Sequence, residues 1–521
     1  MTVDNFPAKE HIRRLVHHLA RLAPAGEHVV LLQGEHVLSR HDTDRELPFH
    51  QEANFHYASG CLVPSSTVII RFTSGEENPF PEFDVKLCIP EQDAESSMWS
   101  VPPPDIAEAG QMFDFDAGEL GFTGKDDEAW LTALLEKSGD KVIHVLKAFH
   151  HARLIKTAQE ITYIREACRI TSGAQEIVMR ELGKFAARRE AKGAEVAKRD
   201  GKEGLAEWEI ESEGDAEAVF VAACRRAGAG QAYLPICASG SRASTLHYVC
   251  NDKIFPASRH PTNSSPTFTP TSNNPSTGRG CCGDVPAESF DDLRRGTFLP
   301  QVLLIDAGCE YRGGYASDIT RTIPVGNGGR YTEEGRTVYE IVLKMQKAAE
   351  AICKAGSHWD DLHLLCHKVL CEEFIALGIF RGTIDQMLES GLSQAFFPHG
   401  LGHSLGLDVH DSLQLLRTEH LDIPASSHRY PHFFKYLRIR RTLEANMVLT
   451  IEPGCYFAPL LMESVGALTN DLVDRDVLER YIPVGGVRIE DVVVVREDGC
   501  ENLTTVPREV EQIEAICSGR A

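Results

Sequence analysis

Hydrophobic positions along the chain follow two kinds of spacing. From Lys9 to Ala23 they recur at helical intervals, with Ile12, Leu15, Val16 and Leu19 on one face of a predicted amphipathic helix. The runs HVVLLQG (His28 to Gly34) and TVIIRF (Thr67 to Phe72) are continuous, aliphatic or β-branched, and suit buried strands. Pro102, Pro103 and Pro104 interrupt any regular element. Beyond the basic HARLIK, residues 159–182 place Ile161, Ile164, Cys168, Ile177 and Met179 along a long predicted helix, and a domain boundary falls at about residue 150. Two tracts break the pattern. Lys184 to Glu209 is almost wholly charged or small and predicts a solvated helical extension. Seventeen of the nineteen residues from Thr262 to Gly280 are Ser, Thr, Asn, Pro or Gly. Such a tract offers too little apolar surface to offset its ordering entropy, so a disordered insertion is expected over about 255–297.

Composition narrows the class. At 521 residues, 42% apolar and 25% charged, the chain reads as a globular protein of more than one domain. Acidic residues outnumber basic ones 76 to 53, a formal charge of −23, which repels phosphate backbones and anionic bilayers. No nucleic-acid or membrane partner is expected. The start, MTVDNFPAKEH, has no apolar run behind a basic segment, so no secretory signal is predicted. Fifteen scattered cysteines without a C-x-x-C pair fit a reducing compartment, and the expectation is a cytoplasmic enzyme.

The chemistry concentrates between Leu303 and Val495. LLID ends in Asp306, turns through Gly308, Arg312, Gly313 and Gly314, and returns as YASDITRTIPV with Asp318 inside it. Two aspartates on adjacent antiparallel strands can face each other across a cation; solvated hairpin carboxylates are the competing reading. PHGLGHSLGLDVHD carries His399, His403 and His410 among Gly400, Gly402 and Gly406, which argue against a helix and for close-packed backbone with imidazoles turned inward. His363 and His367, on a truly helical stretch, read as surface or packing histidines. VLTIEPG puts Glu452 in phase with Val448 and Thr450 before a Pro453-Gly454 stop, and VGGVRIEDVVVV puts Glu490 in phase with Arg488 in a strand apolar enough to be buried on both faces. A buried carboxylate must be neutral or paired with a cation. Asp306, Asp318, His403, Glu452 and Glu490 thus form a set of hard ligands that suits two divalent ions of the Mn²⁺ type better than a thiolate zinc site.

In this order, IDAGCEYRGGYASDITRTIP, FFPHGLGHSLGLDVHD, LTIEPGCYF and VGGVRIEDVVVV, supported by QAYLPICASGSRASTLHY, resemble the metal site of the pita-bread metallopeptidases, most closely the fungal-type Xaa-Pro aminopeptidases and prolidases. The resemblance implies an α+β architecture. A smaller creatinase/prolidase-type α/β domain (residues 1–150) would precede a pita-bread catalytic domain (151–515). It implies that Asp306 chelates one Mn²⁺, His403 and Glu452 hold the second, and Asp318 and Glu490 bridge both; Co²⁺ or Zn²⁺ are alternatives. Glu452 would be the general base, with His410 and His399 stabilising the oxyanion. His247 and Arg438 would bind substrate, Arg438 holding a terminal carboxylate. The implied activity is release of the residue before a penultimate proline, by a homodimer. A dipeptide-specific prolidase, or a non-catalytic module on the same fold, are the alternatives. Three departures from the family pattern matter: one extra residue at Gly313-Gly314, the polar tract between His247 and Asp306 where a short connection is expected, and Ser412-Leu413-Gln414 where a glycine pair is expected. An added residue that widens the turn keeps Asp306 and Asp318 together, whereas a one-residue slip would turn Asp318 to the other face.

Overall fold

The computed structural model describes residues 6–43, 45–75, 80–93, 96–98, 100–123, 145–192, 209–257, 297–412 and 422–519. The predicted disorder at Thr262 to Gly280 and most of the predicted charged extension lie outside these residues.

The N-terminal stripe becomes α1 (Ala8–Leu22), which buries Ala8, His11, Ile12, Leu15, Val16 and Leu19. Then follow β1 (Gly26–Gln33), α2 (Ala53–Ser59), β2 (Thr67–Ser74), β3 (Phe83–Pro90), α3 (Ile106–Met112) and β4 (Leu120–Thr123). The strands form one sheet in the order β1-β2-β3-β4, antiparallel except for the parallel β3–β4 pair. The apolar runs in β1 and β2 are not buried on both faces as their continuity suggests. Val68, Ile70 and Phe72 point into the core, while Val29 on β1 stays 39% exposed, because α1 and α2 pack on one side of the sheet.

Next, α4 (Leu146–Leu154) packs on α1, and α5 (Ala158–Lys192) opens the larger domain. Thr157 and Glu160 cap α5 reciprocally: the Thr157 N–H donates to Glu160 Oε2 at 2.8 Å, and the Glu160 N–H to Thr157 Oγ1 at 3.1 Å. Ile161, Ile164, Cys168 and Met179 are buried on its inner face. Ile177 is 43% exposed, one position off the stripe that Val178 and Leu182 continue.

The first half of this domain adds α6 (Glu213–Arg226), β5 (Gly230–Gln231), β6 (Ile236–Ser239), β7 (Gln301–Ala307), β8 (Cys309–Tyr311), β9 (Tyr315–Ala316) and β10 (Ile319–Val325). β10-β7-β6 is an antiparallel sheet, with β5-β8-β9 beside it. The second half has α7 (Glu333–Ile352), α8 (Trp359–Ala376), β11 (Val448–Ile451), β12 (Gly454–Tyr456), β13 (Gly486–Arg488), β14 (Asp491–Val495) and β15 (Cys500–Asn502), and α9 (Val510–Cys517) returns to pack on α5. Its strands form the β11-β14-β15 sheet and the β12-β13 pair; β11 to β14 are buried, and β15 at the sheet edge is half-buried. Pro453-Gly454 is not a stop: β12 begins at Gly454, so the chain bends and continues as strand.

The halves are joined where they meet. The Glu490 N–H donates to the Thr320 carbonyl at 3.1 Å, and the buried Arg321 guanidinium donates to Asp491 at 2.7 Å and to the Glu490 and Val506 carbonyls. Any side chain near Glu490 is therefore placed relative to β10 as well as to its own strand.

Candidate metal centre

Asp306 lies near the end of β7, and Asp318 immediately precedes β10. Thr320 pairs opposite Asp306, so Asp318, two residues along, shares that face. The extra residue is absorbed in the turn. Tyr311 and Tyr315 pair across Arg312-Gly313-Gly314, and Arg312 and Gly313 adopt φ of 52° and 80°. Gly313 is needed there: a Cβ would sit 2.8 Å from the Leu62 side chain, in a left-handed backbone.

The histidine loop is held against β11. A Cβ on Gly402 would overlap the Thr450 carbonyl, and this close approach lets the His403 N–H donate to Thr450 Oγ1 at 3.0 Å. The ring Nδ1 of His403 lies 3.1 Å from the Ser404 carbonyl, which makes Nδ1 the protonated nitrogen and leaves Nε2 with a lone pair. That lone pair faces Asp318 Oδ2 at 3.3 Å, Glu452 Oε1 at 3.6 Å and Glu490 Oε1 at 4.0 Å. Burial, then Arg438, push His403 down to about 4, so near neutral pH the ring is neutral and Nε2 carries no proton. Asp318 is held well above the usual carboxylate range by burial and then by Asp306, Glu490 by burial and the two aspartates, and Glu452 by burial and Glu490. Glu490 Oε2 accepts from Thr320 Oγ1 at 2.6 Å, but its buried Oε1 has no hydrogen-bond partner. The ligand atoms of Asp318, His403 and Glu490 lie within 4.8 Å of one another. Acceptors aimed at one point, with an orphaned oxygen among them, fit a divalent cation.

Around this cluster is a polar frame. Tyr233 Oη is 2.6 Å from Asp306 Oδ1 and also touches Asp318 Oδ1; its single proton cannot serve two carboxylates at once. Arg488 pairs with Asp306 Oδ2 and donates to Thr320 Oγ1 at 3.1 Å and to Tyr456 Oη at 3.0 Å. Asp306 is thus bound to Tyr233 and Arg488, outside the three carboxylates around His403.

A cavity of about 1040 Å³ opens over the cluster, and His247, His399, His410 and Arg438 all line it. The ring of His410 stands edge-on to His403, centroids 4.4 Å apart. His399 is engaged at both nitrogens: Nδ1 lies 2.8 Å from the Gly400 carbonyl and Nε2 2.8 Å from the Tyr456 hydroxyl. Burial, then Arg488, push it down to about 3, so it is neutral, with Nδ1–H spent on the carbonyl and no N–H free for an oxyanion. Arg438 makes no hydrogen bond or ion pair with a described residue, whereas its neighbour Arg440 binds Asp360 at 2.6 Å. Ser412 adopts φ of 53°, the left-handed backbone that a glycine would take there without strain. Leu413 and Gln414 lie outside the described residues.

Comparison with known proteins agrees with this geometry. Residues 162–497 match the model of metallopeptidase family M24, and residues 9–141 match the aminopeptidase P N-terminal domain. The chain belongs to family M24. It is 33% identical to a probable Xaa-Pro aminopeptidase of Paracoccidioides brasiliensis over 98% of this chain and 97% of that one, and 32% identical to one of Talaromyces marneffei over 99% and 97%. A solved variant of Escherichia coli aminopeptidase P in complex with substrate superposes with a TM-score of 0.68 at 23% identity, covering 99% of each chain, and shares the fold. This M24 chain therefore has the aminopeptidase P N-terminal domain followed by the pita-bread domain.

Two members of the M24 site's frame were not singled out from sequence. Arg488 had a signal: it is the one cation inside VGGVRIEDVVVV, and a buried guanidinium requires an acidic partner. Tyr233, 73 residues from Asp306, had none of its own, although it lies in the supporting segment QAYLPICASGSRASTLHY. His363 and His367 are packing histidines, and neither is on the surface. They bond to the Phe433 carbonyl at 3.0 Å and to Ser393 Oγ at 2.9 Å, against the rings of Phe397 and Phe433.

Proposed function

We propose that this chain is a metal-dependent aminopeptidase that releases the N-terminal residue from peptides with proline in the second position. The observation that carries the reading is the His403 Nε2 lone pair surrounded by Asp318, Glu452 and Glu490. In this reading Asp306, Asp318, His403, Glu452 and Glu490 would together hold two Mn²⁺ ions. When bound, such ions supply Lewis acidity toward the scissile carbonyl and an acidified water. The protein's own groups do the rest. Glu452, at the cavity floor, takes the proton of the attacking water and returns it to the departing nitrogen. His410 donates to the developing oxyanion, while His399 orients Tyr456 and, through it, Arg488. The proline nitrogen of the scissile bond is a tertiary amide with no N–H, so a site that makes no demand for that donor accepts what general peptidases cannot orient.

The unpaired Arg438 favours a second reading, an Xaa-Pro dipeptidase, because a guanidinium in the wall suits a dipeptide's carboxylate. The volume of the cavity favours longer peptides. His247, exposed at the rim, contacts the substrate in either case. We further propose a homodimer in the cytoplasm, with the smaller domain ending near residue 150.

Mn²⁺-loaded protein tested on Xaa-Pro-Xaa tripeptides, Xaa-Pro dipeptides and proline-free controls decides between these readings. Release of the first residue from the tripeptides supports the aminopeptidase; turnover of the dipeptides alone supports the prolidase; cleavage of the controls at equal rate would falsify both.

A further inference from the structure

A second buried charge cluster lies behind the histidine loop, and the reaction just described makes no use of it. Asp411, directly after His410, is 1% exposed; Arg153 and Lys156 are 3% and 2% exposed. Asp411 Oδ1 lies 2.6 Å from Arg153 Nη2, and Asp411 Oδ2 accepts from Lys156 Nζ at 2.6 Å. The same Lys156 ammonium donates to the Arg153 carbonyl at 2.6 Å. Arg153 also donates to Asp408 Oδ2 at 2.5 Å and, through Nη1, to Asn54 Oδ1 in the smaller domain at 2.7 Å. Two cations thus clamp the two aspartates that flank Val409-His410.

The surrounding backbone is shaped for this contact. A Cβ on Gly406 would overlap Asp411 Oδ2 and lie 3.0 Å from Lys156 Cε, so only glycine leaves room for the ion pair. The Asp411 N–H donates to the Ser404 carbonyl at 2.9 Å, which closes the loop that begins beside His403. The Lys156 N–H donates to the Asn446 carbonyl at 2.9 Å, just before β11, which Glu452 directly follows. One short segment, 153–156, is therefore tied to both the histidine loop and the start of β11.

We propose that Arg153, Lys156 and Asp411 are positioning residues that set the ring of His410 against the reaction centre, and that Asn54 links this setting to the smaller domain. This inference rests on the role given above to His410. A fixed loop end holds the imidazole where the oxyanion develops. A loop released from its clamp still folds but presents the ring in many orientations.

The test is a double-mutant cycle on the Mn²⁺-loaded enzyme with an Xaa-Pro tripeptide. Asp411→Asn is expected to lower kcat about 10- to 100-fold with KM changed less than about twofold, the scale of an ångström-sized misplacement. In a His410→Ala background the same change costs less than about a further twofold, because its target is gone. Lys156→Arg retains more activity than Lys156→Met. A crystal structure of Asp411→Asn shows His410 displaced from its edge-on contact with His403. Losses that multiply in the His410→Ala background, or an unmoved His410 ring in the crystal, overturn the proposal. Should Asp411→Asn not fold, Asn54→Ala removes a single hydrogen bond at the domain contact and enters the same cycle. If the wild type cleaves no Xaa-Pro peptide, the functional reading fails, and the crystallographic comparison alone decides the positioning role.

Discussion

The molecule buries two charged clusters a few residues apart, and they are built on opposite principles. Around His403 stand three carboxylates, with Asp306 just outside them, and among the described residues the contacting cation, Arg488, is spent on Asp306. Around Asp411 two carboxylates meet two cations. The electrostatic consequences diverge accordingly. Asp318, crowded by burial and by Asp306, is held well above the ordinary range. Burial would raise Asp411 as well, but Arg153 and Lys156 outweigh it and keep that carboxyl below its ordinary range. A cluster with balanced charge is complete without a ligand and holds shape. A cluster with surplus negative charge is incomplete, and its deficit is the binding site.

The contrast breaks most visibly when one acid is neutralised in each cluster. Glu490→Gln is expected to cut Xaa-Pro cleavage by at least about 1000-fold, on the scale of removing a preorganised electrostatic group, and to lower the metal bound per chain in elemental analysis. The same change raises the Tm of the metal-free protein, since it removes a carboxylate held against its neighbours. Asp411→Asn has the opposite sign, lowering stability in urea by about 3–5 kcal/mol, the range for breaking a buried pair. If both changes shift the metal-free Tm the same way, the two clusters do not differ as argued.

A smaller effect sharpens the substrate side. Arg438→Leu is expected to raise KM for an Xaa-Pro dipeptide about 10-fold, the scale of one charge-assisted contact, and to leave KM for a longer peptide nearly unchanged. Equal increases for both lengths would remove Arg438 from carboxylate binding. The smallest effect is thermal. Carboxyls whose folded pKa is raised stabilise the metal-free protein below their unfolded pKa and lose that contribution as pH rises through the folded value. Bound metal replaces those protons. The gain in Tm on adding Mn²⁺ should therefore grow from about pH 5 to pH 8, with protons released on binding in calorimetry. A gain that is flat over this range would mean that Asp318, Glu452 and Glu490 are ionised before metal arrives.

Much of this was legible along the chain, for local reasons. The stripe of α1 and the long α5 follow from helical spacing, and only Ile177 strays from the buried face. The ligand segments were readable because each sets a charged or imidazole side chain in an apolar or glycine-rich context, where it needs a partner. The half-exposed β1 was not readable, because whether a second layer covers a sheet depends on elements elsewhere. Nor was the continuation of strand beyond Pro453, which β13 supplies from 30 residues downstream.

By itself, then, the sequence determined the element types, the family and which acids and imidazole are candidates, since those rest on spacing and local chemistry. Only the tertiary structure decided that Asp306 and Asp318 keep one face despite the widened turn, that His399 has no free N–H, and that Arg488 and Tyr233 frame the acids. It alone decided that Asp411 meets Arg153 and Lys156, some 255 residues away along the chain. Long-range pairing is fixed by packing of the whole core, and no local pattern encodes which distant charge will be waiting there.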